Sequence, residues 1–347
     1  MSIQRQRWKT VEYTKRQIND AGNTVRMKEA SPEEIRLATK VIDNWRAAHA
    51  YPLHVIYTHL RRMAGNRKDI IVVERLKRLD SIIAKLNRES GMDLWRMQDL
   101  GGCRFIVPTV DEVFDFAEKY KKSRIRHEYK RTYDYINNPK ASGYRSLHLV
   151  YKFHSETKDT YNTNMLLELQ FRTHLQHVWA TALETMGLFT KQALKAGQGD
   201  EHIKRFFVLV SSLIAKQEGY PVVPGTVDDE AELVSEIEQI NDRYRVLDLL
   251  SAIRVALDHE SEATFDKRGY YVLILNYNKR RLKIRYFLPS QIDDANTLYT
   301  QIENDYEESG IDAVLVRASS FSTLQAAYPN YFADIGEFIS LVKGYLA

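Results

Sequence analysis

Strand patterns and helix patterns alternate in two separate stretches of this 347-residue chain, and this alternation constrains the fold more than any other feature. After Gly91, alternating and apolar segments typical of strands cover 103–107, 128–136, 144–153 and 166–172. The pattern restarts at Tyr270, with strands over 270–275, 282–287 and 313–317. The sequence therefore predicts an α+β protein with about four strands in one sheet, followed by a small C-terminal α/β domain.

Helices are predicted between and around these strands. Ser31-Pro32-Glu33-Glu34 is typical of a helix start, and apolar residues then recur at helical spacing through Trp45. The same spacing predicts helices over 53–63, 69–88, 110–121, 174–196, 201–217, 228–257 and 291–306, and one at the end of the chain. In the helix predicted over 69–88, an apolar stripe marks the core face, and Lys77, Ser81 and Lys85 lie on the opposite face.

Domain boundaries follow from these patterns. A run rich in glycine and proline over 219–225 breaks the chain, and the polar helix predicted over 228–257 is interpreted as a connector. The predicted division is a basic N-terminal helical region over 1–50, a main domain over 51–225, a helical connector over 226–260 and the C-terminal domain over 261–347.

Composition excludes several classes of protein. Cys103 is the single cysteine, so internal disulfides and cysteine-based zinc fingers are excluded, and a buried bystander is the better interpretation of this thiol. The apolar run over 206–215 is too short to span a membrane and the N-terminus lacks the apolar core of a signal peptide, so a cytoplasmic protein without membrane contact is expected. The net charge is +4, and residues 1–30, with seven cations against three acids, already account for it. Such an arm suits nucleic-acid phosphates, but solvated charge runs are more common.

The segment 138–150 contains a turn, cations and an aromatic ring directly before a strand. Pro139 restricts φ and Gly143 frees it, so a tight loop is predicted to end at Tyr144. Lys140 and Arg145 lie beside this ring in the sequence. Two interpretations stay open at this point: a nucleotide-binding loop and an ordinary surface hairpin with a buried tyrosine.

Two acidic residues stand near the predicted strand ends. Asp99 precedes a pair of glycines, and Glu168 lies in the alternating strand that ends near Arg172. Two converging carboxylates, with water and nucleotide phosphates, are the usual oxygen ligands of Mg²⁺ in phosphoryl transfer. The alternative is that Asp99 caps a turn and Glu168 pairs with Arg172. No phosphate loop, dinucleotide fingerprint or zinc-protease motif occurs in the sequence.

Six short segments stand in order along residues 50 to 190. They are Arg75-Leu-Lys77, Ser81-Ile-Ile-Ala-Lys85-Leu86, Asp99-Leu-Gly-Gly-Cys-Arg104, Asp134-Tyr-Ile, Pro139-Lys-Ala-Ser-Gly-Tyr-Arg-Ser-Leu-His148 and Glu168-Leu-Gln-Phe-Arg-Thr173. These segments and their order resemble those of the RelA/SpoT synthetase domain. The resemblance implies a mixed sheet flanked by helices and transfer of the β,γ-pyrophosphate of ATP to a ribose 3′-hydroxyl, with Mg²⁺ as the cofactor.

The resemblance also implies a role for each matching residue. Asp99 would bind Mg²⁺, and Glu168 would share the metal or accept the proton of the attacking hydroxyl. Arg75 and Arg104 would sandwich the adenine of ATP, and Tyr144 would stack on the acceptor base. The other implied ATP ligands are Lys77, Ser81 and Lys85, and the other implied acceptor ligands are Arg131, Lys140, Arg145, His148, Gln170 and Arg172. His174 and His177 are assigned to packing or to a secondary polar role.

The choice of acceptor depends on one departure from the family pattern. Many members that make guanosine alarmones have a lysine where this chain has Tyr133. This substitution puts GDP or GTP in doubt and leaves room for the 3′-terminal adenosine of tRNA. No His-Asp pair, the mark of the hydrolase domain of bifunctional relatives, occurs in the sequence.

The C-terminal region adds a regulatory hypothesis. Tyr328 and Tyr331 match the Tyr-x-x-Tyr motif of the CapRel group of fused toxins and antitoxins, in which this motif blocks the ATP site until a phage protein binds. The alternative is that both rings pack against the small domain's own sheet. Three functions stay open: a self-neutralised toxin that modifies tRNA in phage defence, a (p)ppGpp synthetase acting on GDP or GTP, and an inactive nucleotide- or RNA-binding module.

Overall fold

The structure is a computed structural model that describes residues 8–190, 200–255, 258–261, 268–276, 279, 281–305, 311–328, 331–332 and 335–347. Several predicted features lie partly outside these residues: Arg5 and Arg7 of the basic arm, the predicted helix end over 191–196, and Pro329 and Asn330 between the two C-terminal tyrosines.

Nine strands form one sheet in the described part of the chain. Their bounds are β1 Ile71–Leu76, β2 Gly101–Val107, β3 Glu128–Asp134, β4 Leu147–Lys152, β5 Leu166–Thr173, β6 Asp258–Ser261, β7 Gly269–Asn276, β8 Arg281–Phe287 and β9 Ile311–Ala318. The spatial order is β3-β4-β5-β2-β1-β9-β7-β8-β6. The β2–β5 and β6–β8 pairs are parallel and the others antiparallel, which confirms the expected mixed sheet.

Helices cover this sheet, and those in the described residues include several predicted ones. Their bounds are α1 Lys15–Thr24, α2 Pro32–Ala48, α3 Ala50–Ala64, α4 Leu79–Arg88, α5 Val110–Lys122, α6 His174–Thr190, α7 Asp200–Glu218, α8 Glu230–Tyr244, α9 Val246–Val255, α10 Ile292–Asp305, α11 Phe321–Ala327 and α12 Gly336–Tyr345. The start of α2 is as predicted, because Ser31 and Glu34 form a reciprocal capping box. None of the described helices is long and apolar enough to cross a membrane.

The helix predicted over 69–88 is wrong in its first half. Residues 71–76 form β1, which pairs with β2, and the helix α4 begins only at Leu79. The apolar residues at helical spacing were misleading, because Val72 and Val73 are buried on opposite faces of a strand. The β-branched run before Glu74 was the available strand signal.

The single helix predicted over 228–257 is also wrong, because the described part of this segment forms two helices that pack on their neighbours, while its assignment as a connector stays a prediction. The helix is interrupted at Arg245, which has a left-handed φ of 52° and separates α8 from α9. Leu233, Ile237 and Leu250 join one apolar cluster with α6, α7 and α12. The segment therefore completes a helical layer beside the sheet.

The C-terminal strands extend the main sheet. Strand β9 pairs with β1 through Glu74 with Arg317 and Arg75 with Val316. The main part thus has five strands instead of the expected four, and the C-terminal unit adds its four strands to the same sheet. The residue limits given above for the domains stay predictions.

Candidate active site

Strand register brings the candidate residues onto one face of the sheet. One row across the sheet contains Arg131, Val150, Glu168, Gly102 and Arg75, in neighbouring strands. The adjacent row on the same face contains Tyr133, His148, Gln170, Arg104 and Val73. Because side chains two positions apart in a strand share a face, residues separated by almost 100 positions in sequence meet here.

Asp99 lies at one end of this face, directly before β2, between two lysines. Its carboxylate accepts hydrogen bonds from Lys77 Nζ at 2.6 Å and Lys85 Nζ at 3.0 Å. Burial would raise the pKa of Asp99, but the two ammonium groups more than offset it and lower this pKa to about 2. Asp99 is therefore ionised at neutral pH. Ser81 lies in the first turn of α4, partly buried, on the helix that carries Lys85.

Glu168 is held at both carboxylate oxygens. His148 Nδ1 lies 2.9 Å from Oε1, and Gln170 Nε2 donates to Oε2 at 2.7 Å. Burial would raise the pKa of Glu168, but His148 and Gln170 together lower it below its usual value. The carboxylate is therefore an anion fixed in direction. The alternative pairing of Glu168 with Arg172 is wrong, because both oxygens have other partners.

Tyr144 is partly buried at the end of the loop, where the sequence places it. Gly143 has a φ of 86°, as the predicted turn requires, although the following strand begins at Leu147 and not at Tyr144. The Tyr144 hydroxyl lies 3.0 Å from His148 Nε2. Lys140 Nζ lies 5.4 Å from the centre of the Tyr144 ring and 4.3 Å from that of Tyr135. Lys140 thus places positive charge beside two aromatic rings.

Tyr133 lies at the outer end of this aromatic group. Its ring is parallel to that of Tyr135, with centres 5.8 Å apart, and its hydroxyl donates to Gln98 at 3.2 Å. Arg131 is exposed and donates to the Tyr133 hydroxyl at 3.2 Å. Two cations, Lys140 and Arg131, and three tyrosines therefore extend from Glu168 toward the edge strand.

Arg104 lies on the same face and contacts the C-terminal segment. Its guanidinium is buried 5.3 Å from the centre of the Tyr328 ring and donates to Ala327 O at 3.4 Å and to Glu184 at 3.5 Å. Tyr331 is also buried, and its hydroxyl accepts a hydrogen bond from Arg78 at 3.2 Å. Both tyrosines belong to one buried apolar cluster with Val73 and Val316, which agrees with packing against the sheet, and blocking of the ATP site by this motif stays a prediction.

Arg145 and Arg172 do not extend freely into this face. Arg145 is buried and donates to Ile136 O at 3.0 Å, Pro221 O at 2.6 Å and Ser211 at 3.2 Å, and its contact with the acceptor stays a prediction. Arg172 is buried and contacts His177 Nδ1 at 2.6 Å. His177 Nε2 in turn lies 2.9 Å from Ala326 O, which agrees with the polar packing role expected for this histidine.

Three residues with contacts at this site were missed by the sequence reasoning. They are Arg78, Gln98 and Glu184. Glu184 lies seven positions after His177, and this spacing places both on one face of α6. That periodicity was the available signal for Glu184, whereas Gln98 carries no pattern of its own.

The donor chemistry of the two acids fits a magnesium ion. Asp99 and Glu168 are both ionised, and the charge of Asp99 is close enough to act against the lowering of the Glu168 pKa. The described residues contain no group of three or more His, Cys, Asp or Glu side chains placed to hold a metal. An ion at this face would therefore depend on these two carboxylates together with substrate phosphates and water, which is the usual way Mg²⁺ is bound in nucleotide enzymes.

Comparison with known proteins agrees with this geometry. The family model described as "Region found in RelA / SpoT proteins" matches residues 74–191. This part of the chain is therefore similar to a RelA/SpoT domain. The matched region includes every residue placed on the two rows above except Val73, and the C-terminal tyrosines lie outside it.

Over 112 residues, the chain is 33% identical to the GTP pyrophosphokinase YjbM of Bacillus subtilis strain 168. The match covers 32% of this chain and 52% of the relative, so the chain spans about half the length of this curated protein.

Solved structures resemble part of the chain. The small alarmone synthetase 1 of Bacillus subtilis bound to its product pppGpp is 24% identical, covering 50% of this chain and 93% of that chain, with a TM-score of 0.41. A GTP pyrophosphokinase family protein from Streptococcus pneumoniae is 26% identical, covering 59% and 93%, with a TM-score of 0.38.

Proposed function

We propose that this protein is a pyrophosphokinase that transfers the β,γ-pyrophosphate of ATP to a ribose 3′-hydroxyl. The observation that supports this most directly is the ionised, doubly held Glu168 on the same face as Asp99 and its two lysines. Transfer of this kind requires a base near the attacking hydroxyl and positive charge around the phosphates. Glu168 is the proposed base, and Lys77 and Lys85 are the proposed phosphate ligands.

ATP is proposed to bind between Arg75 and Arg104, with Ser81 at the first turn of α4 near the phosphates. In this structure Lys77 and Lys85 both pair with Asp99. Nucleotide phosphates would compete with Asp99 for these ammonium groups. A Mg²⁺ ion on Asp99 and Glu168 would supply charge neutralisation for the transferred group.

The acceptor is proposed to stack on Tyr144, and the 3′-terminal adenosine of tRNA is the favoured candidate. Tyr133 supports this choice because it presents an aromatic ring where a lysine is expected for a guanosine nucleotide. The competing acceptor is GDP or GTP, and it is supported by the similarity to the GTP pyrophosphokinase of Bacillus subtilis. Arg131 and Lys140 lie on the acceptor side under either alternative.

The C-terminal segment is proposed to restrain this activity. Tyr328 covers Arg104, a proposed adenine contact, and Tyr331 binds Arg78 at the start of α4. With these contacts in place ATP lacks one of its arginines. Release by a second protein, such as a phage protein, would make the enzyme a self-neutralised toxin against translation.

One experiment separates the candidate acceptors. Purified full-length protein and its Tyr331→Ala variant are incubated with γ-³²P-labelled ATP and Mg²⁺, and GDP, GTP and deacylated tRNA are offered separately. Label in tRNA supports the favoured function, and label in GDP or GTP supports the competing synthetase. In either case Glu168→Gln is expected to abolish transfer with an unchanged melting temperature, because it removes charge at constant shape. If no acceptor becomes labelled in any reaction, both enzyme functions are contradicted and the inactive binding module is favoured.

A further inference from the structure

The hydroxyl of Tyr144 has a partner that base stacking does not require. It lies 3.0 Å from His148 Nε2, and the other ring nitrogen of His148 lies 2.9 Å from Glu168 Oε1. A stacked ring uses only its face, so a phenylalanine would serve that purpose equally well. The three side chains instead form one continuous chain of hydrogen bonds.

The direction of this chain follows from Glu168. An ionised carboxylate only accepts hydrogen bonds, so His148 Nδ1 must carry the hydrogen that lies between them. In the neutral imidazole, Nε2 is then an acceptor and the Tyr144 hydroxyl donates to it. By donating to Nε2, the phenol stabilises the tautomer of His148 that donates to Glu168.

Burial makes this chain rigid. His148 is 6% exposed, and the Glu168 side chain is 13% exposed. His148 lies in β4 directly beside Gln170 of β5, whose amide holds the second Glu168 oxygen. The hydroxyl at the acceptor loop is thereby linked to the direction of the carboxylate.

We infer that Tyr144 and His148 are positioning residues that orient Glu168 through the Tyr144 hydroxyl. Stacking and positioning are then separate functions of one side chain, carried by the ring and by the hydroxyl. An acceptor nucleobase that stacks on the Tyr144 ring therefore also lies beside the hydroxyl that positions Glu168, the proposed general base. This inference rests on the proposed pyrophosphate transfer for its effect on rate, but the hydrogen-bond chain itself is measurable without turnover.

The kinetic test compares Tyr144→Phe with Tyr144→Leu in the full chain, using γ-labelled ATP and the acceptor that the wild type labels. Tyr144→Phe keeps the ring and is expected to lower kcat about tenfold, as the loss of one hydrogen bond would, with the acceptor KM changed less than about twofold. Tyr144→Leu is expected to raise the acceptor KM about tenfold or more. Equal kcat for Tyr144→Phe and wild type would overturn the positioning function and leave the proposed transfer intact.

A double-mutant cycle adds a structural control. His148→Asn keeps an amide donor near the position of Nδ1 but loses the contact with Tyr144. If the hydroxyl acts through His148, the double variant Tyr144→Phe/His148→Asn should lose no more activity than His148→Asn alone. Independent, additive losses would contradict the chain.

The test without turnover uses nitrogen-15 NMR of protein labelled at histidine, with the His148→Asn spectrum assigning the His148 signals. The wild type is expected to show a protonated Nδ1, and Tyr144→Phe is expected to shift the His148 Nε2 signal. Unchanged His148 signals in Tyr144→Phe would overturn the inference even if the protein transfers no pyrophosphate. A clear shift with an inactive wild type would support the hydrogen-bond chain and refute only the proposed function.

Discussion

The Tyr331 hydroxyl offers a sharp test of the proposed restraint by the C-terminal segment. It accepts a hydrogen bond from the Arg78 guanidinium at 3.2 Å, and the Tyr331 ring is buried. A hydrogen bond to a charged group contributes about 1.5–3 kcal/mol. Tyr331→Phe removes this bond while the ring keeps its packing. The closed arrangement of the segment should lose that much stability relative to the open one.

If the closed segment excludes ATP, a less stable closed arrangement raises the apparent affinity for ATP. Each 1.4 kcal/mol is a factor of ten, so the apparent affinity should rise by about 10- to 150-fold at most. Titration calorimetry of the full chain with a non-hydrolysable ATP analogue and Mg²⁺ measures it.

Tyr328→Phe is the matched control. The Tyr328 hydroxyl is buried without a hydrogen-bond partner among the described residues, so its removal should leave ATP affinity unchanged and stability equal or higher. Equal ATP affinity for Tyr331→Phe and wild type would refute the restraint, as would an equal gain for both variants.

Three further predictions concern the loop and the helix beside the site. Gly143→Ala should destabilise the fold by about 1–3 kcal/mol in urea unfolding, since Gly143 has a φ of 86° and an added Cβ would lie 3.0 Å from Trp179. An unchanged urea midpoint would contradict this. Arg145→Ala should lower stability by about 2–4 kcal/mol, because buried carbonyl groups lose their donor, and the conservative Arg145→Lys should lose less stability. A change in acceptor KM without lost stability would contradict this and support the predicted contact of Arg145 with the acceptor. Burial and Arg172 lower the pKa of His177 well below 6.5. The contribution of the neutral ring to the free energy of unfolding is therefore fully present above pH 6.5 and is lost as the pH falls below this value. Between pH 7 and pH 5.5, the free energy of unfolding should fall by about 1.4 kcal/mol less in His177→Gln than in the wild type. An equal fall in both proteins would contradict this role of His177.

The sequence predicts the local features of the site where a residue type has one purpose. Gly143 adopts the positive φ expected at the turn, and Cys103 is buried as expected. Apolar spacing failed at 71–76, because a short run that is buried on both faces satisfies strand and helix patterns alike. The hydrogen-bond partners of Arg145 could not be predicted for a similar reason, since adjacency in sequence to Tyr144 does not determine which carbonyl groups lie within its reach.

The sequence by itself determined which chemical groups the site contains: two carboxylates, a set of cations and a tyrosine after a glycine turn. It also determined most strands, because alternation and turn chemistry act over a few residues. Tertiary structure alone decided that β9 pairs with β1, which makes one sheet of the main and C-terminal parts and brings Tyr328 over Arg104. It also decided that Tyr144, His148 and Glu168 are linked. Register across strands distant in sequence depends on the packing of the whole sheet, which no local pattern encodes.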